Sequence, residues 1–163
     1  MPAFKSLGHI ALKVRDLQKS IDFYTKLGFP EFLRLNNDDG RPWIVYMKFA
    51  DDLYLELFPG GDGPVDTKAT GVNHLCVTVD DIEVAEQHLT SVGIPLESPR
   101  SDKRGVDRNR GMWVVDPDGN RIEIMEMAPN CVQYEAIKDV NAGKPPHALL
   151  APLNPKPKAA ATA

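Results

Sequence analysis

The sequence predicts an α+β fold made of two tandem β-α-β-β-β modules, and three observations predict it. First, GHIALKVRDLQKSIDFYTKLGF (8–29) and NHLCVTVDDIEVAEQHLTSVGI (73–94) align without a gap. His9 falls on His74, Val14 on Val79, Asp16 on Asp81, Leu17 on Ile82 and Gly28 on Gly93, each pair 65 residues apart. Second, both segments change from alternating to helical periodicity at the same place. Third, each is followed by further strand-like runs separated by Gly, Pro and Asp. Self-similarity over a fixed period is the signature of a repeated unit.

Each element has a local reason. HIALKV and HLCVTV alternate, with Ile10, Leu12 and Val14 on one face and Leu75, Val77 and Val79 on the matching face. Asp16 and Asp81 stand where a carboxylate accepts from the free N–H groups of a first helical turn. Leu17, Ile21 and Tyr24 then recur at helical spacing, as do Ile82, Ala85 and Leu89. Gly28 and Gly93 supply the left-handed residue that ends a helix. After the first helix come EFLRLN (31–36), WIVYMKF (43–49) and LYLELF (53–58). After the second come a weak strand LESP (96–99), then MWVVD (112–116) and NRIEIMEM (120–127), the last two joined by the tight turn Asp116-Pro117-Asp118-Gly119.

The two modules fill residues 1–128, at about 5–58 and 72–128, with a Gly- and Pro-rich linker at 59–71. Residues 129–163 form a C-terminal extension, with EAIKDV (135–140) as a short helix and disorder expected from about residue 141. Hydrophobic residues make up 42% and charged residues 26% of the 163, the balance of a soluble globular protein. A net charge of -4 with no basic cluster argues against nucleic acid. No apolar run approaches the length that spans a bilayer. Cys76 and Cys131 form no CxxC pair and read as reduced thiols, which places the protein in the cytoplasm.

Strand alternation sorts the polar residues. His9, Ala11 and Lys13 point away from the apolar face of the first strand, as His74, Cys76 and Thr78 do in its repeat. In LYLELF, Leu53, Leu55 and Leu57 face inward and Glu56 projects oppositely; in RIEIM, Ile122 and Ile124 leave Glu123 on the other face. Each module thus offers one His and one Glu on the face not covered by its helix. Sheets that curl together would bring two imidazoles and two carboxylates to one divalent ion, either as a closed tetrahedral site or with two open positions. A lone strand histidine is more often hydrogen-bonded or exposed, and a Glu between leucines is commonly solvated; the recurrence of the pair is what favours ligation.

The stretches 8–29, LYLELF, 73–94 and DPDGNRIEIME resemble the vicinal oxygen chelate superfamily, and within it glyoxalase I. The resemblance covers about residues 7–127. It implies the glyoxalase/bleomycin resistance/dioxygenase fold, a curved mixed sheet around a metal site. It also implies that His9, Glu56, His74 and Glu123 ligate one Ni, Co, Zn, Mn or Fe ion. The implied activity is that of a lactoylglutathione lyase-like enzyme. The metal holds vicinal oxygens of a small-molecule substrate while a ligand Glu, Glu123 by analogy or else Glu56, moves a proton through an enediolate. The methylglyoxal–glutathione hemithioacetal is the substrate this suggests. Two departures concern glutathione: the family's Arg four residues after the first His is Lys13, and its Asn four after the first Glu is Gly60. Lys13, Arg108 and Arg110 are the candidate substrate-binding cations, the two arginines lying in the loop SDKRGVDRNRG (101–111). Cys76 either faces the cavity or, the favoured reading, is a small buried residue; Trp43, Trp113, Tyr46 and Phe58 either line a pocket or, as favoured, fill the core; His88 lies on an exposed helix face and His147 in the tail. Alternatives are an Fe(II)-dependent dioxygenase, disfavoured by the fourth ligand, and a module that sequesters a small molecule. A homodimer with shared sites and a chain that closes its own site both fit the repeat.

Overall fold

A computed structural model describes residues 7–66 and 71–147. The first module runs β1 (His9–Val14), α1 (Leu17–Leu27), β2 (Glu31–Asn36), β3 (Pro42–Lys48) and β4 (Tyr54–Pro59). The second runs β5 (Leu75–Val79), α2 (Ile82–Val92), β6 (Arg110–Val115) and β7 (Arg121–Glu126), and α3 (Val132–Asn141) follows. The helix signals act as expected. Asp16 accepts from the Lys19 amide and Asp81 from the Val84 amide, and Gly28 and Gly93 end their helices at φ 106° and 74°.

In module 1 the strand order is β1-β4-β3-β2, with β1 parallel to β4 and the rest antiparallel. Module 2 keeps this plan as β5-β7-β6, β5 being parallel to β7. Its weak strand LESP survives only as the bridge Ser98–Trp113. Pro95 and Pro99 flank it, and a proline cannot donate to a ladder.

The expected βαβββ modules are present, each as its own mixed sheet, and within the chain they meet through their helices. One core runs through both: Val14, Tyr24, Met47, Leu55 and Leu57 on one side, Ile82, Leu89, Met112, Val114, Ile122 and Ile124 on the other. The predicted turn between β6 and β7 docks on α1. Tyr24 donates its hydroxyl to Asp116 at 2.8 Å, Ser20 to Asp118 at 3.2 Å, and the Arg15 guanidinium pairs with Asp118 at 2.9 Å. Burial, and next the charge of Asp116, push the Tyr24 phenol well above its ordinary range, so it remains the donor.

The extension is ordered beyond the expected helix. α3 starts before Glu135 because its first turn is held from the loop ahead of β6: the Val132 amide donates to the Asp107 carbonyl and Gln133 to the Asp107 carboxylate. Lys144 and His147 both reach back to Asp139, at 2.8 and 2.9 Å. The rest of the expected disordered tail, 148–163, lies outside the described residues. No described helix is long and apolar enough to cross a membrane.

Candidate metal centre

The strand that opens each module carries its histidine beside the strand that carries its glutamate. Parallel pairing of β1 with β4 puts Ala11 opposite Glu56, and the same pairing of β5 with β7 puts Cys76 opposite Glu123. His9 Nε2 then lies 3.6 Å from Glu56 Oε2, and His74 Nε2 lies 3.4 Å from Glu123 Oε2. Both separations exceed an ordinary hydrogen bond. They are close to the edge of about 3.0–3.5 Å between two ligands bound at about 2.0–2.2 Å to one ion. The donor set of imidazole nitrogen and carboxylate oxygen fits a first-row divalent cation.

The two pairs form two half-sites. The four residues do not gather around one point: among the described residues, the group of three ligand atoms within 4.8 Å of one another is Asp81, Glu83 and Glu126 instead. That acidic trio is committed elsewhere. Asp81 caps α2, and arginines neutralise Glu83 and Glu126.

The surroundings of the half-sites differ. His9 stacks on Tyr54 at 5.3 Å, and Tyr54 and Phe32 pack with Tyr46, which pairs across the ladder with Glu56. His74 Nδ1 lies 2.8 Å from the Asn73 side-chain oxygen. A proton on Nδ1 there leaves the Nε2 lone pair facing Glu123, an outer-shell contact that fixes tautomer and ring orientation. Trp113 sits edge-on to His74 at 4.9 Å, and the Arg121 guanidinium covers its ring at 4.1 Å. Cys76 is exposed rather than in the core, since its strand face has no helix over it. Desolvation and then the charge of Glu123 push its thiol up to about 11, which keeps it protonated beside that carboxylate.

Residues 6–124 match the Glyoxalase/Bleomycin resistance protein/Dioxygenase superfamily. The chain belongs to that superfamily. It is 31% identical over 126 residues to the uncharacterized protein YwkD of Bacillus subtilis (strain 168), covering 75% of this chain and 97% of that one. It is 26% identical over 151 residues to the lactoylglutathione lyase of Pseudomonas putida, covering 74% of this chain and 84% of the enzyme. The crystal structure of the glyoxalase family protein from Enterococcus faecalis superposes with a TM-score of 0.64 at 26% identity, over 76% of this chain and 98% of that one.

The other expected residues of this superfamily member divide. Lys13 stands on the uncovered face of β1 and makes no ion pair among the described residues. It lines a cleft of about 420 Å³ with Asn37, Trp43 and Phe58. Arg110 is not a free cation. It shares the parity of buried Met112 and Val114, so it sits on the helix-covered face, paired with Glu83 at 2.6 Å and with Glu126. Arg108 is likewise engaged, by Glu135 at 2.8 Å and the Asn130 carbonyl at 2.6 Å. The aromatics expected in the core are outside it: Trp43 is exposed, and Tyr46, Phe58 and Trp113 are half-buried on the uncovered faces or their rim. His88 is exposed, as expected, with Nε2 2.8 Å from the Lys26 carbonyl. Sequence reasoning passed over Asn73 and Arg121, although Asn73 directly precedes the ligand-type His74 and Arg121 is two residues from Glu123.

Proposed function

We propose that this protein is a metal-dependent lyase or isomerase of the glyoxalase I type, with each site assembled from the His9–Glu56 half of one copy and the His74–Glu123 half of another. The observation that carries this is the pair of His–Glu half-sites at 3.6 and 3.4 Å on uncovered sheet faces. Two protein ligands fall short of the three or four that hold such an ion, and each half supplies what the other lacks. The relatives that bear the name lactoylglutathione lyase support the reaction class.

A divalent cation in this set would supply Lewis-acid stabilisation of the charge that develops on vicinal substrate oxygens. Glu123 takes the proton from the carbon beside a carbonyl and returns it to the neighbouring carbon. Tyr46 and Tyr54 wall the first half and Trp113 walls the second. Lys13 lies four residues beyond His9 on the same face, about 13 Å along the strand. It suits an anionic substrate tail, and the first substrate to assay is the methylglyoxal–glutathione hemithioacetal.

Complementation tests the shared site. A His9→Ala/Glu56→Ala double variant and a His74→Ala/Glu123→Ala double variant should each retain no Ni²⁺ or Co²⁺. Random mixing of their subunits restores intact halves in half the dimers and in one site of each, so about a quarter of the sites should recover metal. No recovery after verified subunit exchange would overturn sharing between copies.

A further inference from the structure

We propose that α3, which lies beyond the family match at residues 6–124, forms part of the seam on which a second copy of this chain seats its module 1. This rests on the shared-site reading above. A groove of about 770 Å³ runs along β5, walled by Val77, Val79, Val84 and Leu89, with Leu27 and Tyr134 of α3 also lining it. β5 is an edge strand of its sheet, as β1 is of the other. Val84 and Tyr134 are 61% and 49% exposed, an apolar lining with nothing over it in the single chain.

Three features choose the occupant. The half-site on β5 and β7 lacks the ligands that β1 and β4 carry, so a copy that completes it brings β1 up to β5. Leu7 and Val72, each two residues before a ligand-type histidine and 65 apart, are 64% and 75% exposed, so both strand starts await cover. Charge also matches unlike modules. In segment 73–94 Glu83 and Glu86 are paired with Arg110 and Arg100, which leaves Asp80 and Asp81, whereas in segment 8–29 Arg15 and Lys19 are paired with Asp118 and Asp16, and Lys13 and Lys26 make no ion pair among the described residues. Asp80 and Asp81 at the groove carry no ion pair among the described residues. The unpaired lysines of segment 8–29 suit the unpaired aspartates at the groove, while a second copy of segment 73–94 would set acid against acid there. α3 is fastened at this place by its first turn, through the Val132 amide on Asp107 and Arg108 on Glu135. The extension therefore widens the seam with a tyrosine, an amphipathic ring well suited to an interface.

Sedimentation equilibrium of the full chain tests this. Tyr134→Glu should raise the dimer dissociation constant at least tenfold, and Val84→Glu on the other wall should do the same. Val140→Glu puts the same charge on α3 away from the groove and should leave the constant unchanged. Thermal melts verify folding, and Tyr134→Ala carries the test if Tyr134→Glu does not fold. A wild-type dimer indifferent to Tyr134 substitution overturns the role of α3 and leaves the shared site standing. A wild-type chain that is monomeric with metal present overturns both.

Discussion

The two modules share one backbone plan and differ at nearly every side chain around it. Equivalent strand positions hold His9 and His74, Glu56 and Glu123, with their partners at 3.6 and 3.4 Å. Around that constant pair, Gly8 becomes Asn73, Ala11 becomes Cys76, Tyr46 becomes Trp113 and Tyr54 becomes Arg121. At the positions that hold Arg110 and Glu126 in module 2, module 1 has Trp43 and Pro59. Duplication thus kept the ligand geometry and left the rest free to specialise. Module 1 offers an aromatic wall with Lys13 on the same uncovered face, and module 2 offers a tethered histidine and the proposed base.

The sharpest way to break this comparison is to exchange the carboxylates for amides. Glu123→Gln should lower turnover about a thousandfold, the scale expected when a general base is lost. Glu56→Gln keeps an oxygen ligand and should cost much less. Steady-state kinetics with matched metal content would decide it. Equal losses would mean that both carboxylates serve only as ligands, or that they share the proton.

Much of this was legible because it is local. Period-two alternation placed all four ligand-type residues on the correct faces, and Asp16, Asp81, Gly28 and Gly93 marked the helix ends where they occur. Arg110 was legible too, since it alternates with Met112 and Val114; loop composition outweighed that parity. The separation of the half-sites was not legible. It follows from contacts such as Tyr24–Asp116 and Arg15–Asp118, which join residues 92 and 103 apart in sequence. No periodicity reports such packing. α3 was read too short for the same reason, its first turn being set by Asp107 from another loop.

A smaller effect probes the tether that only module 2 has. Asn73→Ala removes the oxygen that holds His74 Nδ1 and should weaken metal affinity about tenfold, as loss of an outer-shell partner does. Competition with a chelating dye reads this without any substrate. His9 follows a glycine and is oriented by the Tyr54 ring instead. Tyr54→Ala should therefore affect the first half-site by a similar route, and unchanged affinity in both variants would remove the case for orientation by these neighbours.

The smallest expected effect lies on the covered face, where module 2 alone buries an ionic network. Hydrogen bonds from Arg110, opposed by burial and helped by the Ile82 amide and Arg104, hold the Glu126 carboxyl at about 2 against an ordinary 4.5. A carboxyl with a depressed value in the folded chain binds fewer protons there than in the unfolded one. Its contribution is complete above about pH 4.5 and is lost as the pH falls toward 2. Melting temperature should accordingly decline across that window, and the decline should be shallower in Glu126→Gln. That substitution should lower stability modestly near neutrality, since Glu83 still pairs with Arg110. Module 1 has Trp43 and Pro59 at these places and adds no such slope. An unchanged acid-side slope in Glu126→Gln would assign the acid sensitivity to other carboxylates, with buried Asp116 and Asp118 at the module junction the next to substitute.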